Sequence, residues 1–246
     1  MALTFPSLYE LKKAACFPRK LYMRHRENLE PGFMLSAMEL HYYRPAFYTW
    51  CGAISENPQL LYEAELDSTS IVVDAGAYTG EWAKEIIDRY HPTIHAFEPD
   101  PRNFSHLEKK AQIEPCLKPH KYGLGDRDEQ ARITLEYLGS TLYTGNRPAA
   151  NTPTAEAEIR DIASTWRTLE LHNVDLMKIN IEGAEFPLLE QMIRNELLSK
   201  VDCYLIQFHE WHPRAYQRRR HIRRALSKTH TLVWDYHFVW EKWVRK

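Results

Sequence analysis

Between Ser70 and Leu107 the chain changes periodicity three times, and few folds accommodate that. Ser70-Ile-Val-Val-Asp74 is a short β-branched run that ends in a glycine-containing turn, after which Ala83, Ile86, Ile87 and Tyr90 recur at helical spacing. Thr93 to Glu98 is a second strand pattern, stopped by Pro99 and Pro101, and Phe104 with Leu107 open a second helical one. Strand, helix, strand in this order argues for parallel strands with helices on both faces. The expected fold class is α/β.

The second half continues the alternation. Val174 to Asn180 reads as a buried strand, and Leu188, Leu189, Met192, Ile193 and Leu197 mark an amphipathic helix after it. Val201 to Phe208 is another strand, and Arg214 to Lys228 is a helix with Ala215, Ile222 and Leu226 as its apolar stripe. Thr231 to Val244 holds two aromatic-rich runs about Asp235 that can pair as an antiparallel hairpin. Ala131 to Leu138 alternates as an extra strand does, and Gly139 to Pro153, with its glycines, prolines and asparagines, reads as a loop. Residues 1–69 form a mostly helical cap whose Tyr42, Tyr43, Tyr48 and Trp50 are expected to pack on the main sheet. Residues 70–246 form the main domain.

Composition removes several classes. In 246 residues, 44% are hydrophobic and 26% charged, which excludes disordered and collagen-like chains. The net charge of −1 hides a segregation: ten basic and two acidic residues give Arg214 to Lys246 a charge of +8, leaving −9 before it. Cys16, Cys51, Cys116 and Cys203 lie far apart, so neither a zinc knuckle nor a disulfide framework is indicated, and reduced thiols in the cytoplasm are the expectation. No apolar run approaches the roughly 18 residues that span a bilayer, and no signal peptide is read at the start.

Three places carry chemistry. In Asp74-Ala-Gly76-Ala-Tyr-Thr-Gly80, glycine at a strand end lets a ligand approach the backbone, and the following helix start offers N–H groups to a carboxylate or phosphate. Tyr78 occupies the position where a dinucleotide fingerprint wants glycine, which disfavours a pyrophosphate-bridged dinucleotide. Glu98 lies about 20 residues beyond the turn, where a carboxylate accepts ribose hydroxyls, so the ligand is of adenosine type. In Lys178-Ile-Asn180-Ile-Glu182-Gly-Ala-Glu185, polar residues alternate at the exit of an apolar strand. Asn180 and Glu182 are expected to face the crevice that Asp74 and Glu98 face, whereas Glu185 is accounted for by the N-terminus of the next helix.

These residues resemble a known family. Val73-Asp-Ala-Gly-Ala-Tyr-Thr-Gly80, Ala96-Phe-Glu-Pro-Asp-Pro101, Tyr122-Gly-Leu-Gly-Asp126 and Asp175 to Glu185 look like the successive signatures of FkbM-type S-adenosylmethionine-dependent methyltransferases, over roughly Ser70 to His212. The resemblance implies a class I, Rossmann-like methyltransferase fold, with a seven-stranded mostly parallel sheet ending in a reversed hairpin. It implies methyl transfer to a hydroxyl oxygen, often on a sugar or glycosylated natural product. By position, it assigns S-adenosylmethionine binding to Asp74, Gly76, Ala77, Tyr78 and Gly80, to Glu98 and Pro99 for the ribose, and to Leu124, Gly125 and Asp126 beside the adenine. The chain departs from the family where Tyr78 replaces asparagine and Asn180 replaces aspartate, the latter removing a carboxylate near the expected methyl group.

Removal of the hydroxyl proton needs a base, and Glu182 and His209 are the best candidates, with Asn180 and Lys178 beside them. His209 follows the Val201 to Phe208 strand, and a neutral imidazole suits proton abstraction near pH 7, so His209 is favoured as base and Glu182 as the carboxylate that orients the acceptor. His209-Glu-Trp-His212 lacks the spacing of a zinc-protease helix, and no metal is assigned. The basic clusters Lys12 to Arg26 and Arg214 to Arg224 read as solvated helix faces. A nucleic-acid partner is not expected, peripheral contact with an anionic membrane stays open, and the acceptor is expected to be a glycan or small molecule. Two other functions stay in view: a catalytically weak glycan-binding scaffold, motivated by Asn180, and an RNA ribose methyltransferase, motivated by the +8 segment.

Overall fold

The computed structural model describes residues 44–134, 153–210, 212 and 214–246. Helix α1 (Arg44–Glu56) precedes strand β1 (Ile71–Ala75), helix α2 (Glu81–Tyr90), strand β2 (Thr93–Phe97), helix α3 (Pro101–Ala111) and strand β3 (Leu117–His120). There follow β4 (Gly123–Gly125), β5 (Glu129–Thr134), β6 (Thr154–Asp161), α4 (Ile162–Thr168), β7 (Val174–Ile179), α5 (Glu185–Arg194), β8 (Val201–Ile206), α6 (Ala215–Thr229), β9 (His230–Tyr236) and β10 (Trp240–Arg245).

Seven strands form one sheet in the order β3-β2-β1-β7-β8-β10-β9. The pairs among β3, β2, β1, β7 and β8 are parallel, and β10 runs antiparallel to both β8 and β9. Strands buried on both faces need apolar residues at successive positions, and β1 supplies them: Val72 packs with Ile94, Leu176 and α2 residues Ala83, Ile86 and Ile87, whereas Val73 faces Met177, Tyr204 and the side of α5 and α6. The hairpin expected about Asp235 is present. Its turn falls at residues 237–239, not at Asp235 itself.

Beyond the expected elements the structure adds β3, β4, β6 and α4. Strand β6 pairs with β4 in parallel and with β5 antiparallel, giving a second, three-stranded sheet, and α4 leads from it back to the main sheet. The alternation Ala155, Ala157, Ile159 was the available signal. The second sheet explains both glycines of β4, since a Cβ at Gly123 would meet Ile159 Cδ1 at 2.8 Å and one at Gly125 would meet Ile159 Cγ2 at 2.6 Å. The strand expected over Ala131 to Leu138 is found as Glu129–Thr134, and residues 135–152, including nearly all of the expected loop, lie outside the described residues.

Of the expected cap, residues 1–43 lie outside the described residues, with Tyr42 and Tyr43 among them. Trp50 of α1 is buried against the edge strand β9, its ring centroid 6.0 Å from that of Trp234 and 5.1 Å from that of Tyr236. Among the described residues no helix is long and apolar enough to cross a membrane.

The second basic cluster is not a uniformly solvated face. Arg219 is buried, donating to Asp235 Oδ1 at 2.6 Å and Glu241 Oε2 at 2.9 Å, and Arg218 forks onto Glu190 at 2.7 and 2.6 Å. Helix α6 is thereby tied to the hairpin on one side and to α5 on the other.

Candidate active site

Register brings the sequence motifs to one rim. Ala75 pairs with Phe97 on one side and Ile179 on the other, and Ile179 pairs with Ile206. The next residue of each strand, Gly76, Glu98, Asn180 and Gln207, therefore stands just past the last paired rung, at the carboxyl edge where open α/β sheets take ligands.

At the β1 end the chain turns through Gly76 (φ 81°), Tyr78 (φ 53°) and Gly80 (φ 83°). Gly76 and Ala77 both donate to Phe97 O, at 3.1 and 3.0 Å. The structure adds a reason for Gly76 beyond ligand approach, since a Cβ there would lie 2.0 Å from Asn180 O, just past the end of β7. Tyr78 is a non-glycine residue in left-handed conformation, which asparagine adopts more readily, and its side chain is exposed. No side chain caps the start of α2, so its first N–H groups are open to a ligand carboxylate.

Asp74 and Lys178 lie opposite one another in register. Lys178 Nζ donates to Asp74 Oδ1 at 2.9 Å, both side chains buried, and to Gly76 O at 2.7 Å, a half-buried contact. Glu98 accepts the N–H of Tyr78 on Oε2 at 2.7 Å and that of Asp100 on Oε1 at 2.8 Å, so it braces the glycine turn. Burial pushes its pKa up to about 7 despite those two N–H groups. Leu124 and Gly125 are buried on β4, with Asp126 half-buried after it.

The second half of the rim is organised around Glu185, which does more than cap its helix. Its Oε2 does accept the Gly183 N–H at 2.8 Å, a local turn at the start of α5. Its Oε1 also accepts the His209 N–H at 2.7 Å and faces His209 Nδ1 at 3.0 Å. A carboxylate can only accept, so Nδ1 carries the proton and Nε2 is the unprotonated nitrogen of the neutral ring. His209 Nε2 lies 3.5 Å from Glu182 Oε2. Glu182 has φ 51°, a strained conformation for this residue, held between Asn180 and Gly183 (φ 100°).

Two expectations about His209 change. Burial alone would lower its pKa, but Glu185 and then Glu182 raise it, and the net shift is upward, so the ring holds a proton more readily than a free histidine. Its side chain is 3% exposed against 23% for Glu182, which makes Glu182 the more accessible of the pair.

Whether the rim suits a cofactor is tested by what it leaves unsatisfied. Among the described residues, Asp74 Oδ2 and Asn180 Oδ1 are buried polar atoms without a hydrogen-bond partner, on neighbouring strand ends beside the glycine turn. Together with the uncapped start of α2 and the spare lone pairs of Glu98, they suit a ligand with an ammonium, a carboxylate and ribose hydroxyls. The residues present fit S-adenosylmethionine.

The strand order, the reversed final pair, and a glycine turn and acidic residue on the first two strand ends define a class I methyltransferase-like fold. A model of the methyltransferase FkbM domain matches residues 74–238, and the chain belongs to that family. A protein called methyltransferase 1 from Beauveria bassiana is 28% identical over 148 residues, which make up 51% of this chain and 59% of that protein. The chain thus spans little more than half the length of that relative.

Among solved structures, an rRNA methylase from Clostridium thermocellum aligns with a TM-score of 0.47 and 8% identity over 78% of this chain and 94% of that one. Aeropyrum pernix fibrillarin, solved with natively bound S-adenosyl-L-methionine, aligns with a TM-score of 0.41 and 12% identity over 74% of this chain and 67% of that one.

Proposed function

We propose that this protein is an S-adenosylmethionine-dependent O-methyltransferase whose acceptor is a hydroxyl of a saccharide or glycosylated small molecule. The observation that carries this reading is the row Glu182–His209–Glu185, a carboxylate, an imidazole and a carboxylate, on the rim that also carries Gly76, Glu98 and Asn180. When bound, S-adenosylmethionine supplies a sulfonium methyl group to an aligned nucleophile.

Glu98 holds the ribose, the turn from Gly76 to Gly80 and Asp74 hold the methionine half, and Lys178 fixes Asp74 and the turn. Leu124 to Asp126 border the adenine. Glu182, as the more exposed of the pair, meets the acceptor hydroxyl. Its carboxylate accepts the proton, and His209 Nε2 stands 3.5 Å away to share it. Glu185 keeps the Nδ1 proton in place and offsets the charge of the imidazolium that results. A positioned base of this kind contributes about 10²–10⁴-fold.

The test is methyl transfer from S-adenosylmethionine over a panel of sugars and glycosides. Glu182→Gln is expected to lower turnover about 10²–10⁴-fold with cofactor affinity unchanged, and His209→Asn to lower it less while moving the pH profile. If His209→Asn is the more damaging of the two, His209 itself meets the hydroxyl. Near-normal turnover in both variants removes the row from the chemistry.

A further inference from the structure

Helix α6 and the β9–β10 hairpin enclose an open groove of about 520 Å³, lined in part by Arg219, Arg220, Arg223, Arg224, His237 and Phe238. Its charges are unequally committed. Arg219 and Arg223 are both paired with Asp235 and Glu241, a set of two cations and two anions. Arg220 and Arg224 are exposed, one helical turn apart, and among the described residues no acid pairs with either of them. The groove therefore carries two surplus guanidinium groups over a neutral, rigid network.

Its wall is aromatic. The rings of Tyr216 and Phe238 stack edge to face at 4.8 Å, the Arg219 guanidinium lies 5.1 Å from the Phe238 ring, and that of Arg223 lies 5.4 Å from the Trp243 ring.

The groove opens at the same edge as the rim described above. Glu241 pairs with Ile206 near the carboxyl end of β8, so the turn at residues 237–239 projects past it. Tyr216 OH donates to Glu210 Oε2 at 3.3 Å, and Glu210 follows His209 directly. Tyr216, at the rim end of the groove, thus touches the residue beside His209, and Arg220 and Arg224 follow along α6 from there.

We infer that this groove binds the phosphate or diphosphate group of a small soluble acceptor, holding it while the sugar hydroxyl enters the rim. Guanidinium groups grip phosphate oxygens in forked pairs, and the exposed Tyr216 ring beside them suits a sugar ring or a base. The volume lies within the roughly 300–1,000 Å³ of small-molecule sites. Arg218, on the other side of α6, is committed to Glu190, which leaves Arg220, Arg224 and Lys228 as an exposed basic row on this helix. This inference names the acceptor class for the methyl-transfer reading above and rests on it.

The experiment is calorimetric titration of the whole protein, at low salt, with inorganic pyrophosphate and with uridine diphosphate, S-adenosylmethionine being titrated separately. Saturable binding of both phosphates is expected, weakened at least about tenfold by Arg220→Glu with Arg224→Glu and less by the corresponding glutamines, with cofactor affinity unchanged. Both positions are exposed, so the variants are expected to fold, which circular dichroism checks. Absence of saturation, or equal binding by the double variant, overturns the inference. So does retention of a short RNA or of phosphatidylglycerol vesicles that pyrophosphate does not compete away. Loss of cofactor binding alone would strike the methyltransferase reading and leave the phosphate site standing.

Discussion

Glu185 meets His209 twice: its Oε1 accepts the His209 backbone N–H at 2.7 Å and faces the imidazole Nδ1 at 3.0 Å. Glu185 is fully buried at the first turn of α5, and His209 lies three residues past the end of β8. One carboxylate therefore fixes the position, the tautomer and the charge of a ring on a different strand end.

This pairing makes activity depend on pH in a stated direction. The His209 pKa lies above its ordinary value of 6.5, and the Glu182–His209 pair takes a proton only when the ring is neutral. Turnover is expected to rise with pH through that raised pKa, and Glu185→Gln is expected to move the rise to lower pH by removing a negative charge. Stability runs the other way. The contribution of the protonated ring is full below the unfolded pKa of 6.5 and is lost as pH rises through the folded value. NMR titration of the His209 ring in both proteins decides this; equal pKa values would mean that Glu185 does not hold the charge.

Lys178 is expected to act through the fold. Its ammonium is the partner of Asp74, whose side chain is fully buried, and it also ties down Gly76 O. Lys178→Met leaves a carboxylate buried without its cation, which costs about 3–5 kcal/mol. Urea unfolding measures this, and an unchanged midpoint would show that water reaches Asp74 in the folded protein.

The parts of this molecule legible in the sequence are those that repeat along the chain. Val72 and Val73, or Leu188 and Leu189, announce their elements because burial imposes a period, and Gly76, Glu98 and Asn180 sit at strand ends that the period locates. The link from Glu185 to His209 has no such signature. It joins residues 24 apart through a sheet register that sequence spacing does not encode, and Glu185 had a sufficient local account at the start of its helix. The neutralisation of Arg219 and Arg223 by Asp235 and Glu241 was hidden likewise, since it depends on the hairpin folding back over α6. Strand β6, by contrast, does carry a period, in the alternation of Ala155, Ala157 and Ile159.

Gly76 yields a stability prediction that differs from a binding one. A methyl group there would lie 2.0 Å from the Asn180 carbonyl oxygen, and the backbone is in left-handed conformation. Gly76→Ala is therefore expected to destabilise the fold by roughly 2–4 kcal/mol even without any ligand. Thermal unfolding of the ligand-free protein checks it. If the variant melts like the parent but fails to bind S-adenosylmethionine, ligand approach alone accounts for the glycine.

Glu98 links cofactor affinity to pH. Its carboxyl is buried and braces the turn through the N–H groups of Tyr78 and Asp100, and its pKa is pushed up to about 7. Ribose hydroxyls donate most strongly to the ionised form, which is roughly a tenth of the population near pH 6 and roughly nine-tenths near pH 8. S-adenosylmethionine is therefore expected to bind up to about tenfold more tightly at the higher pH, with proton release on binding between them. Stability has the opposite slope, because the contribution from this group is full below the ordinary value of 4.5 and is lost as pH rises through about 7. Glu98→Ala removes both effects, and it also orphans the two N–H groups, so a loss of about 1–3 kcal/mol in stability should accompany the loss of affinity. Calorimetry in buffers of different ionisation enthalpy reads the proton release directly. An affinity that stays flat between the two pH values would mean either that Glu98 is already ionised at pH 6 or that the ribose is held elsewhere, and the Glu98→Ala affinity separates these: weakened binding keeps Glu98 as the ribose ligand, and unchanged binding removes it.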